Sequence, residues 1–312
     1  MSDLRVAIIG YGLAGRVFHA SLIAATDGLA VATVVTSDPA RQAQVAREHP
    51  DAQVLANPGQ LWELSDHDLV VVATPNDVHA PLALEAIARG VPVVVDKPLA
   101  VTAPEAEAVL LAAEQAGVLL TVFQNRRWDS DHLTLVRLMA EGRLGSVTRY
   151  ESRFERWRPV SSADAWRESA PPERGGGQLL DLGSHLVDQA LVLFGPATHV
   201  YAEVDARRGG PADDDAFIAL RHATGVISHL RMSATTAAPG PRLRVLGTEA
   251  AFVIRDLDSQ EDQLQAGRRP DTDPDWGLEP EVRWGRLVTG DDSVAVPSER
   301  GGSGRRMADR LF

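Results

Sequence analysis

The sequence of 312 residues contains no cysteine. This absence excludes disulfides, thiolate nucleophiles and cysteine-ligated metals, so any chemistry must come from other side chains. The sequence also lacks a run of about 18 apolar residues, and its opening MSDLRVAIIGYG carries too short an apolar stretch for a signal peptide. We therefore expect a cytoplasmic protein with no membrane partner.

Positive charge is also scarce, with 31 lysines and arginines against 43 aspartates and glutamates and a formal net charge of -12. This balance argues against a nucleic-acid partner and favours a small-molecule ligand. A chain of this length is expected to form two domains, although a single barrel remains an alternative.

The first part of the chain alternates short Val, Ile and Leu runs with Ala-rich amphipathic stretches. The predicted strands are LRVAIIG, AVATVVT, DLVVVAT, VPVVVD and VLLTVF. Continuous apolar strands separated by helices predict a doubly wound parallel sheet, in which ligands bind at the carboxyl ends of the strands. We assign residues 1–123 to this α/β domain and look for chemistry in the loops that follow its strands.

A glycine-rich loop follows the first strand. Its residues are Gly10, Tyr11, Gly12, Leu13, Ala14 and Gly15. The G-x-G-x-x-G spacing between a strand and a helix is typical of a pyrophosphate site, where the glycines permit a tight turn, close backbone approach and close helix packing. A turn with no ligand is the alternative interpretation.

The end of the second strand bears on the choice between NAD and NADP. Thr36 and Ser37, with Arg41 close by, would tolerate a 2'-phosphate and favour NADP. Asp38 could instead accept hydrogen bonds from the ribose and favour NAD. We expect NADP or NAD as the cofactor, with a slight preference for NADP.

Two further strands end in polar groups. These are Thr74, Pro75, Asn76 and His79 after one strand, and Asp96, Lys97 and Pro98 after the next. Ordinary turn chemistry explains either group. Strand ends of this fold face the ligand, however, and Pro98 restricts the backbone of Lys97 and could be cis, which would fix the direction of the ammonium.

The alternation stops after VLLTVF, so we place a domain boundary there and assign residues 124–312 to a second domain. Segments such as TRYESRFERWRP, HVYAEVDAR, DAFIALRH, GVISHLRMSA and RLRVLG alternate apolar and polar residues, as antiparallel strands do. They predict an α+β domain. The acidic triplet at 213–215 is interpreted as a solvated turn before a strand.

A helix is predicted within GGGQLLDLGSHLVDQALVLFG, because leucines recur there at helical spacing. Asp181 and His185 are four residues apart and so lie on the same side of the helix. Helix capping or a satisfied buried pair is the alternative to a catalytic role. Asp188 lies on the same general side of the helix. No other histidine or carboxylate stands at a spacing suited to a metal ligand, so we predict no metal.

The ordered motifs GYGLAG, TPNDVH, DKPLA, QNRRWD and DLGSHLVDQ resemble those of the glucose-fructose oxidoreductase and inositol dehydrogenase (Gfo/Idh/MocA) family. The resemblance covers residues 4 to about 295 and is closest to the scyllo-inositol dehydrogenase branch. It implies a Rossmann domain followed by an α+β domain with an open, largely antiparallel sheet, through which we expect a homo-oligomer to form.

The resemblance also implies a catalytic set, Lys97, Asp181 and His185. Its chemistry would be hydride transfer between a secondary alcohol of an inositol-like polyol or sugar and C4 of the nicotinamide. Lys97 would bond the reacting oxygen, His185 would act as the base, and Asp181 would orient the substrate. The candidates for contacting polyol hydroxyls are Asn76, Asn125, Arg127, Trp166 and Arg167. The glycine loop, the second strand end, residues 74–76, His79, Asp96 and Lys97 would contact the cofactor.

The chain departs from the family at its end, SERGGSGRRMADRLF, where family members continue through an aromatic-rich helix. We expect this end to be frayed, with a cost to the domain interface or to activity. Two alternatives to a dehydrogenase therefore stay open. One is an NAD-dependent glycoside hydrolase of the same family, and the other is a nicotinamide-sensing regulator without turnover.

Overall fold

A computed structural model of the chain describes residues 3–64, 66–162 and 165–302. The terminal sequence whose fraying was expected lies, from residue 303 onward, outside the described residues. The described chain divides into two compact units. One contains the described residues up to Phe123 together with Gln260–Trp276, and the other contains Gln124–Ser259 and Gly277–Gly302.

The first unit is built on a six-stranded parallel sheet of order β3-β2-β1-β4-β5-β6. Its strands are β1 (Leu4–Ile9), β2 (Leu29–Val35), β3 (Gln53–Leu55), β4 (Leu69–Val72), β5 (Val93–Asp96) and β6 (Leu120–Phe123). This is the order of the dinucleotide-binding fold, and the strand polarity brings the carboxyl ends of β1, β4 and β5 to one edge. The predicted doubly wound sheet is confirmed, with β3 as an additional short strand.

Helices connect these strands. They are a π-type segment Ala14–Ala20 continued by α1 (Ser21–Ala24), then α2 (Pro39–Glu48), α3 (Pro58–Leu61), α4 (His79–Ala88) and α5 (Ala103–Ala116). Local sequence explains their ends: Thr102 and Glu105 form a capping box at the start of α5, and Gly117 ends it in the left-handed conformation with φ 64°. The valines of β4 and β5 are fully buried, as expected for strands covered on both faces.

The second unit contains an eight-stranded sheet of order β14-β13-β12-β11-β7-β10-β9-β8, antiparallel except between β7 and β10. Its strands are β7 (Val147–Glu155), β8 (Ala197–Asp205), β9 (Asp215–His222), β10 (Ile227–Ser233), β11 (Leu243–Gly247), β12 (Ala251–Ile254), β13 (Gly285–Thr289) and β14 (Asp292–Val296). The predicted largely antiparallel sheet is confirmed. Strands β12 to β14 extend it beyond the segments identified from the sequence.

Helices accompany this sheet in the second unit. They are α6 (Ser130–Ala140), α7 (Trp166–Ser169) and α8 (Ser184–Phe194), the last preceded directly by a π-type segment Leu179–Gly183. Leu186, Ala190 and Phe194 from α8 enter one apolar core with residues of β7, β9, β10 and β11. This packing fixes the position of the helix that carries Asp181 and His185.

The helix α9 (Gln260–Gln265) and the residues up to Trp276 belong to the first unit, whereas the sequence placed the whole of 124–312 in the second domain. Arg269 explains part of this difference, because its guanidinium donates to the carbonyl oxygen of Ala24 at the end of α1, 2.8 Å away. Trp276 and Leu264 are also buried. None of the described helices has the length and apolarity needed to cross a membrane.

Candidate functional site

The glycine-rich loop forms a cradle that requires at least two of its glycines. Gly10 has φ 99°, and a Cβ there would collide with the carbonyl oxygen of Ala73 at the end of β4. A Cβ at Gly15 would collide with the carbonyl oxygen of Gly10. The helix that follows the loop therefore packs directly against it. In this arrangement the N–H groups at the N-terminus of the helix face the side where a pyrophosphate would bind.

Gly12 differs because the space beside it is open. Beyond its chain neighbours, the only described atom within 4 Å of a Cβ at Gly12 is NH1 of Arg41, at 3.9 Å. Backbone that is open on one side and next to a guanidinium suits the approach of a phosphate group. The loop therefore fits a dinucleotide pyrophosphate, and Leu13 and Ala14 extend the same turn into the helix.

Tyr11 lies inside the unit and anchors the loop. Its hydroxyl donates to Oε2 of Glu48 at 2.8 Å, and Nε of Arg16 lies 3.1 Å from Oε1 of the same carboxylate. Burial and the Glu48 carboxylate raise the pKa of Tyr11. Its side chain fastens the loop to the end of α2, and a contact of Tyr11 with the cofactor stays a prediction. Glu48 gave no motif signal and was missed.

Asp38 serves first as the N-cap of α2. Its Oδ1 accepts hydrogen bonds from the backbone N–H groups of Ala40 and Arg41 at 2.8 and 3.3 Å. Its Oδ2 lies 3.4 Å from Nε of Arg41, so both oxygens are engaged. Ser37 is exposed and Thr36 is buried at the end of β2. The strand end thus presents a hydroxyl and a guanidinium more readily than a free carboxylate.

His79 joins the two strand-end turns identified in the sequence. Its Nδ1 lies 2.7 Å from the carbonyl oxygen of Pro98, and its Nε2 lies 2.9 Å from that of Thr74. Both ring nitrogens therefore have partners within the protein, and a contact of His79 with the cofactor stays a prediction. Asn76 is buried beside this link and Pro75 is exposed. The tie between Thr74 and Pro98 fixes the turn that carries Lys97.

The peptide bond between Lys97 and Pro98 is cis. On the other side of Lys97, the Asp96 carboxylate accepts its backbone N–H at 2.7 Å. Burial alone would raise the pKa of Asp96, but the His19 ring, 3.8 Å away, and the Lys97 ammonium hold it below its ordinary value. Asp96 therefore acts as an ionised internal support of the turn.

Composition also sets Lys97 apart. It is the only lysine of the chain, since the other basic residues among the 31 are all arginines. A compact ammonium differs from a guanidinium in being a point charge with rotatable donors. The single lysine of the chain thus lies at a strand end of the parallel sheet. This compositional signal was not used when the motifs were interpreted.

In the second unit, Asp181 and His185 occupy successive turns of one continuous helical run, as predicted. Arg167 lies beside them, with its Nε 3.0 Å from Oδ1 of Asp181 and its guanidinium stacked 4.6 Å from the ring centre of Trp166. His185 is only 5% exposed and meets the ring of Phe154 edge-on at 6.4 Å. A carboxylate paired with a guanidinium and an imidazole one helical turn further on form a set able to bind hydroxyls and accept a proton.

Arg127 is engaged by Asp188. Nε and NH2 of Arg127 donate to the two carboxylate oxygens at 2.8 and 2.6 Å, and Asn125 belongs to the same 3-10 turn, Asn125–Trp128. Asp188 therefore serves as an ion-pair partner, and Arg127 keeps only part of its donor capacity for a substrate. Within the described ranges no group of three or more His, Asp or Glu side chains could hold a metal ion.

Behind the helix lies a buried polar group that sequence reasoning missed. The guanidiniums of Arg242 and Arg126 lie 4.3 and 5.7 Å from the ring centre of Phe154, and Arg242 also donates to Gln189 at 3.0 Å. Burial, together with neighbouring carboxylates, raises the pKa of Asp129 well above its ordinary value. Arg126 and Asp129 are three residues apart and pair with each other at 3.4 Å, but Phe154, Gln189 and Arg242 come from distant segments, so no local pattern links the whole group.

Comparison with known proteins agrees with this description. Residues 4–124 match the oxidoreductase family with an NAD-binding Rossmann fold, and residues 132–253 match the GFO/IDH/MocA C-terminal domain. The chain is 37% identical over 305 residues to the scyllo-inositol 2-dehydrogenase (NADP(+)) IolW of Bacillus subtilis, covering 96% of this chain and 83% of that protein.

Two other relatives are similar over most of their length. The chain is 42% identical over 282 residues to the uncharacterized oxidoreductase YdgJ of Escherichia coli, covering 89% of this chain and 79% of that protein. The solved structure of yvaA from Bacillus subtilis superimposes with a TM-score of 0.88 at 34% identity, covering 99% and 90% of the two chains. The chain is therefore a member of the Gfo/Idh/MocA family and an NAD(P)-dependent dehydrogenase.

Proposed function

We propose that the protein transfers a hydride between a secondary alcohol of an inositol-like polyol or sugar and a nicotinamide cofactor. The observation that carries this proposal is the Asp181 and His185 pair, with Arg167 bound to Asp181, in a chain that also has a dinucleotide cradle. Neutral polyols offer hydroxyl donors and acceptors, which a mixed set of carboxylate, imidazole and guanidinium groups can bind. The similarity to a scyllo-inositol 2-dehydrogenase supports the same substrate class.

In this proposal each residue of the catalytic set has one task. Bound NADP or NAD supplies the hydride acceptor. His185 takes the proton of the substrate hydroxyl through its imidazole, and Asp181 orients that hydroxyl. Lys97 donates a hydrogen bond to the oxygen of the reacting carbon, where negative charge develops as the proton leaves. Asn76, Asn125, Arg127, Trp166 and Arg167 are the proposed contacts for the remaining hydroxyls.

The proposal is tested by following nicotinamide reduction through its absorbance, with inositols and aldoses offered separately. We expect turnover with at least one inositol. Cofactor binding with no turnover on any polyol or sugar would reject the proposal and favour the regulator or the hydrolase. A hydrolase recycles its cofactor, so glycoside cleavage without net reduction would identify that activity.

We propose further that NADP is preferred over NAD. Arg41 supports this preference, because its guanidinium lies beside Gly12 while Asp38 is occupied by the cap of α2 and by Arg41 itself. A guanidinium at this position can bind a 2'-phosphate, and the occupied carboxylate is less available to a ribose diol.

Arg41→Ser is expected to lower kcat/KM for NADP by about tenfold to a hundredfold, because a charge-assisted phosphate contact is lost. The kcat/KM for NAD should change by less than about threefold, since NAD lacks that phosphate. Steady-state kinetics with both cofactors measure the two values. Arg47→Ser, an exposed arginine further along α2, is the control and should alter neither. An equal loss with both cofactors would contradict the assignment.

We also propose that the second unit forms a homo-oligomer through its sheet. The support is the exposure of every residue of β8, which includes Val200 and Tyr201 on its two faces, and the charged groups of the neighbouring strands, where Arg231 pairs with both Glu155 and Asp215. A surface carrying both charges can be complementary to its own copy. Sedimentation velocity should give a multimer, and a monomer at micromolar concentration would reject this proposal.

A further inference from the structure

The acidic triplet at 213–215 is not the solvated turn that the sequence suggested. Asp214 is only 2% exposed, and the triplet ends the connection between β8 and β9. We name residues 206–214 the clamp loop. Its contacts reach out of the sheet to the start of the helical run carrying Asp181 and to α7.

Asp213 holds the start of that helical run. Its Oδ2 accepts the backbone N–H of Leu179 at 2.8 Å, and its own carbonyl oxygen accepts that of Gln178 at 3.0 Å. Gly177 has φ 101°, and a Cβ there would collide with the Asp213 carboxylate. The carboxylate therefore packs against the backbone directly before the helix. There its negative charge also interacts favourably with the positive end of the helix dipole.

Arg208 holds α7. Its side chain is 6% exposed, its Nε donates to Oδ2 of Asp214 at 2.9 Å, and its NH1 donates to Oε2 of Glu168 at 3.1 Å. Asp214 is in turn fixed by the backbone N–H groups of Arg207 and Arg208 at 2.8 and 2.9 Å. One buried guanidinium thus bridges the clamp loop and the helix α7.

The contacts of Asp213 and of Arg208 both support one ion pair, that of Arg167 with Asp181. Glu168 directly follows Arg167, whose guanidinium pairs with Asp181, and the backbone N–H of Gly177 donates to the carbonyl oxygen of Arg167 at 2.8 Å. The clamp loop therefore secures Asp181 through Asp213 and secures Arg167 through Arg208. A loop serving only to join two strands would need neither contact.

We propose that Arg208 is a positioning residue, and that the clamp loop holds Arg167 on Asp181 in the arrangement that binds the substrate. The inference rests on the proposed function in assigning Arg167 and Asp181 to the substrate. Arg208 itself acts through Glu168 and α7, and it also donates to the carbonyl oxygen of Arg158 at 3.1 Å. Its loss should change substrate binding more than cofactor binding, because its contacts all lie within the second unit.

The test compares Arg208→Met and Glu168→Gln with Arg207→Met. Arg207 is the neighbouring residue on the same loop, but its side chain is 55% exposed and pairs with Asp205 and Asp215 rather than with Glu168. Arg208→Met removes the bridge, and Glu168→Gln weakens it without removing the contacts of Arg208 to Asp214. Should Arg208→Met fail to fold, Glu168→Gln still gives a result.

We expect Arg208→Met to raise the substrate KM by about tenfold to thirtyfold and Glu168→Gln by about fivefold, as the loss of a charge-assisted hydrogen bond predicts. The Kd for NADP should stay within about twofold, and Arg207→Met should leave both constants unchanged. The double variant should be no worse than Arg208→Met alone, because both changes remove the same link. Unchanged substrate KM in both single variants, or an equal loss of cofactor binding, would overturn the proposal.

Hydrogen exchange by mass spectrometry gives a measure that does not depend on turnover. Peptides covering 166–182 should exchange faster in Arg208→Met than in the wild type or in Arg207→Met, with or without substrate. Unchanged exchange in these peptides would reject the proposal that the clamp loop holds this segment. Faster exchange in a protein that turns over no polyol would support that proposal and reject only the proposed function.

Discussion

Lys97→Met is expected to lower kcat by about a hundredfold to a thousandfold, the usual cost of removing one preorganised donor to a developing oxyanion. Methionine keeps much of the length and the apolar stem of lysine but has no ammonium. The supports of the turn should persist, because His79 still links Thr74 to Pro98 and Asp96 still accepts the backbone N–H of residue 97. The Kd for NADP is therefore expected to change less than about threefold.

Lys97→Arg is the matched test of the ammonium. Arginine retains the charge but presents it as a planar fork, so we expect it to recover little of the lost kcat. Because Lys97 is the only lysine, reductive methylation labels this ammonium and the N-terminal amine, and cofactor or substrate binding can be followed at one side chain. Nearly full kcat in Lys97→Met would show that Lys97 has no part in the chemical step.

His185→Gln is expected to lower kcat by about a hundredfold to ten-thousandfold, the range for loss of a general base. Glutamine can occupy the buried position beside Phe154 and can bind a hydroxyl, but it cannot take a proton near neutral pH. The pH profile of kcat/KM should consequently lose the acid limb that protonation of a histidine base produces. Rate measurements across the pH range test both expectations.

His222→Gln is the control for replacing a buried histidine in the same unit. The His222 ring lies 2.8 Å from the carbonyl oxygen of Gly195 and 2.8 Å from Oγ of Ser228, and neither residue is a proposed substrate contact. We expect this variant to lose thermal stability while kcat and the acid limb stay unchanged. A His185→Gln enzyme that keeps its acid limb would assign the base to another residue.

Much of the fold was predictable because it depends on residue patterns within short stretches of the sequence. The continuous valines of β4 and β5 indicate strands buried on both faces, and the glycine spacing after β1 indicates a loop that a helix packs against. Strand β3 has only three residues, and its apolar signal is correspondingly short. The α9 segment was assigned to the wrong unit because contacts distant in sequence, such as Arg269 with Ala24, determine where it packs.

The helical placement of Asp181 and His185 was predictable, but the contacts of the candidate site residues were not. The spacing of Asp181 and His185 places both on one helix, yet nothing in the sequence links Arg167 to Asp181 or Arg127 to Asp188. Some polar side chains are internal supports, as Tyr11 is for the glycine loop and Asp214 is for Arg208. Such roles depend on burial by distant segments, which residue type alone does not reveal.

Reduction of NADP, and separately of NAD, by the purified protein with scyllo-inositol, myo-inositol, glucose or xylose would decide whether the chain is a polyol dehydrogenase. We expect net reduction of NADP with an inositol-like polyol, at a higher kcat/KM than with NAD, and its loss in Lys97→Met and His185→Gln. Binding of either dinucleotide without reduction by any of these polyols and sugars would contradict this expectation.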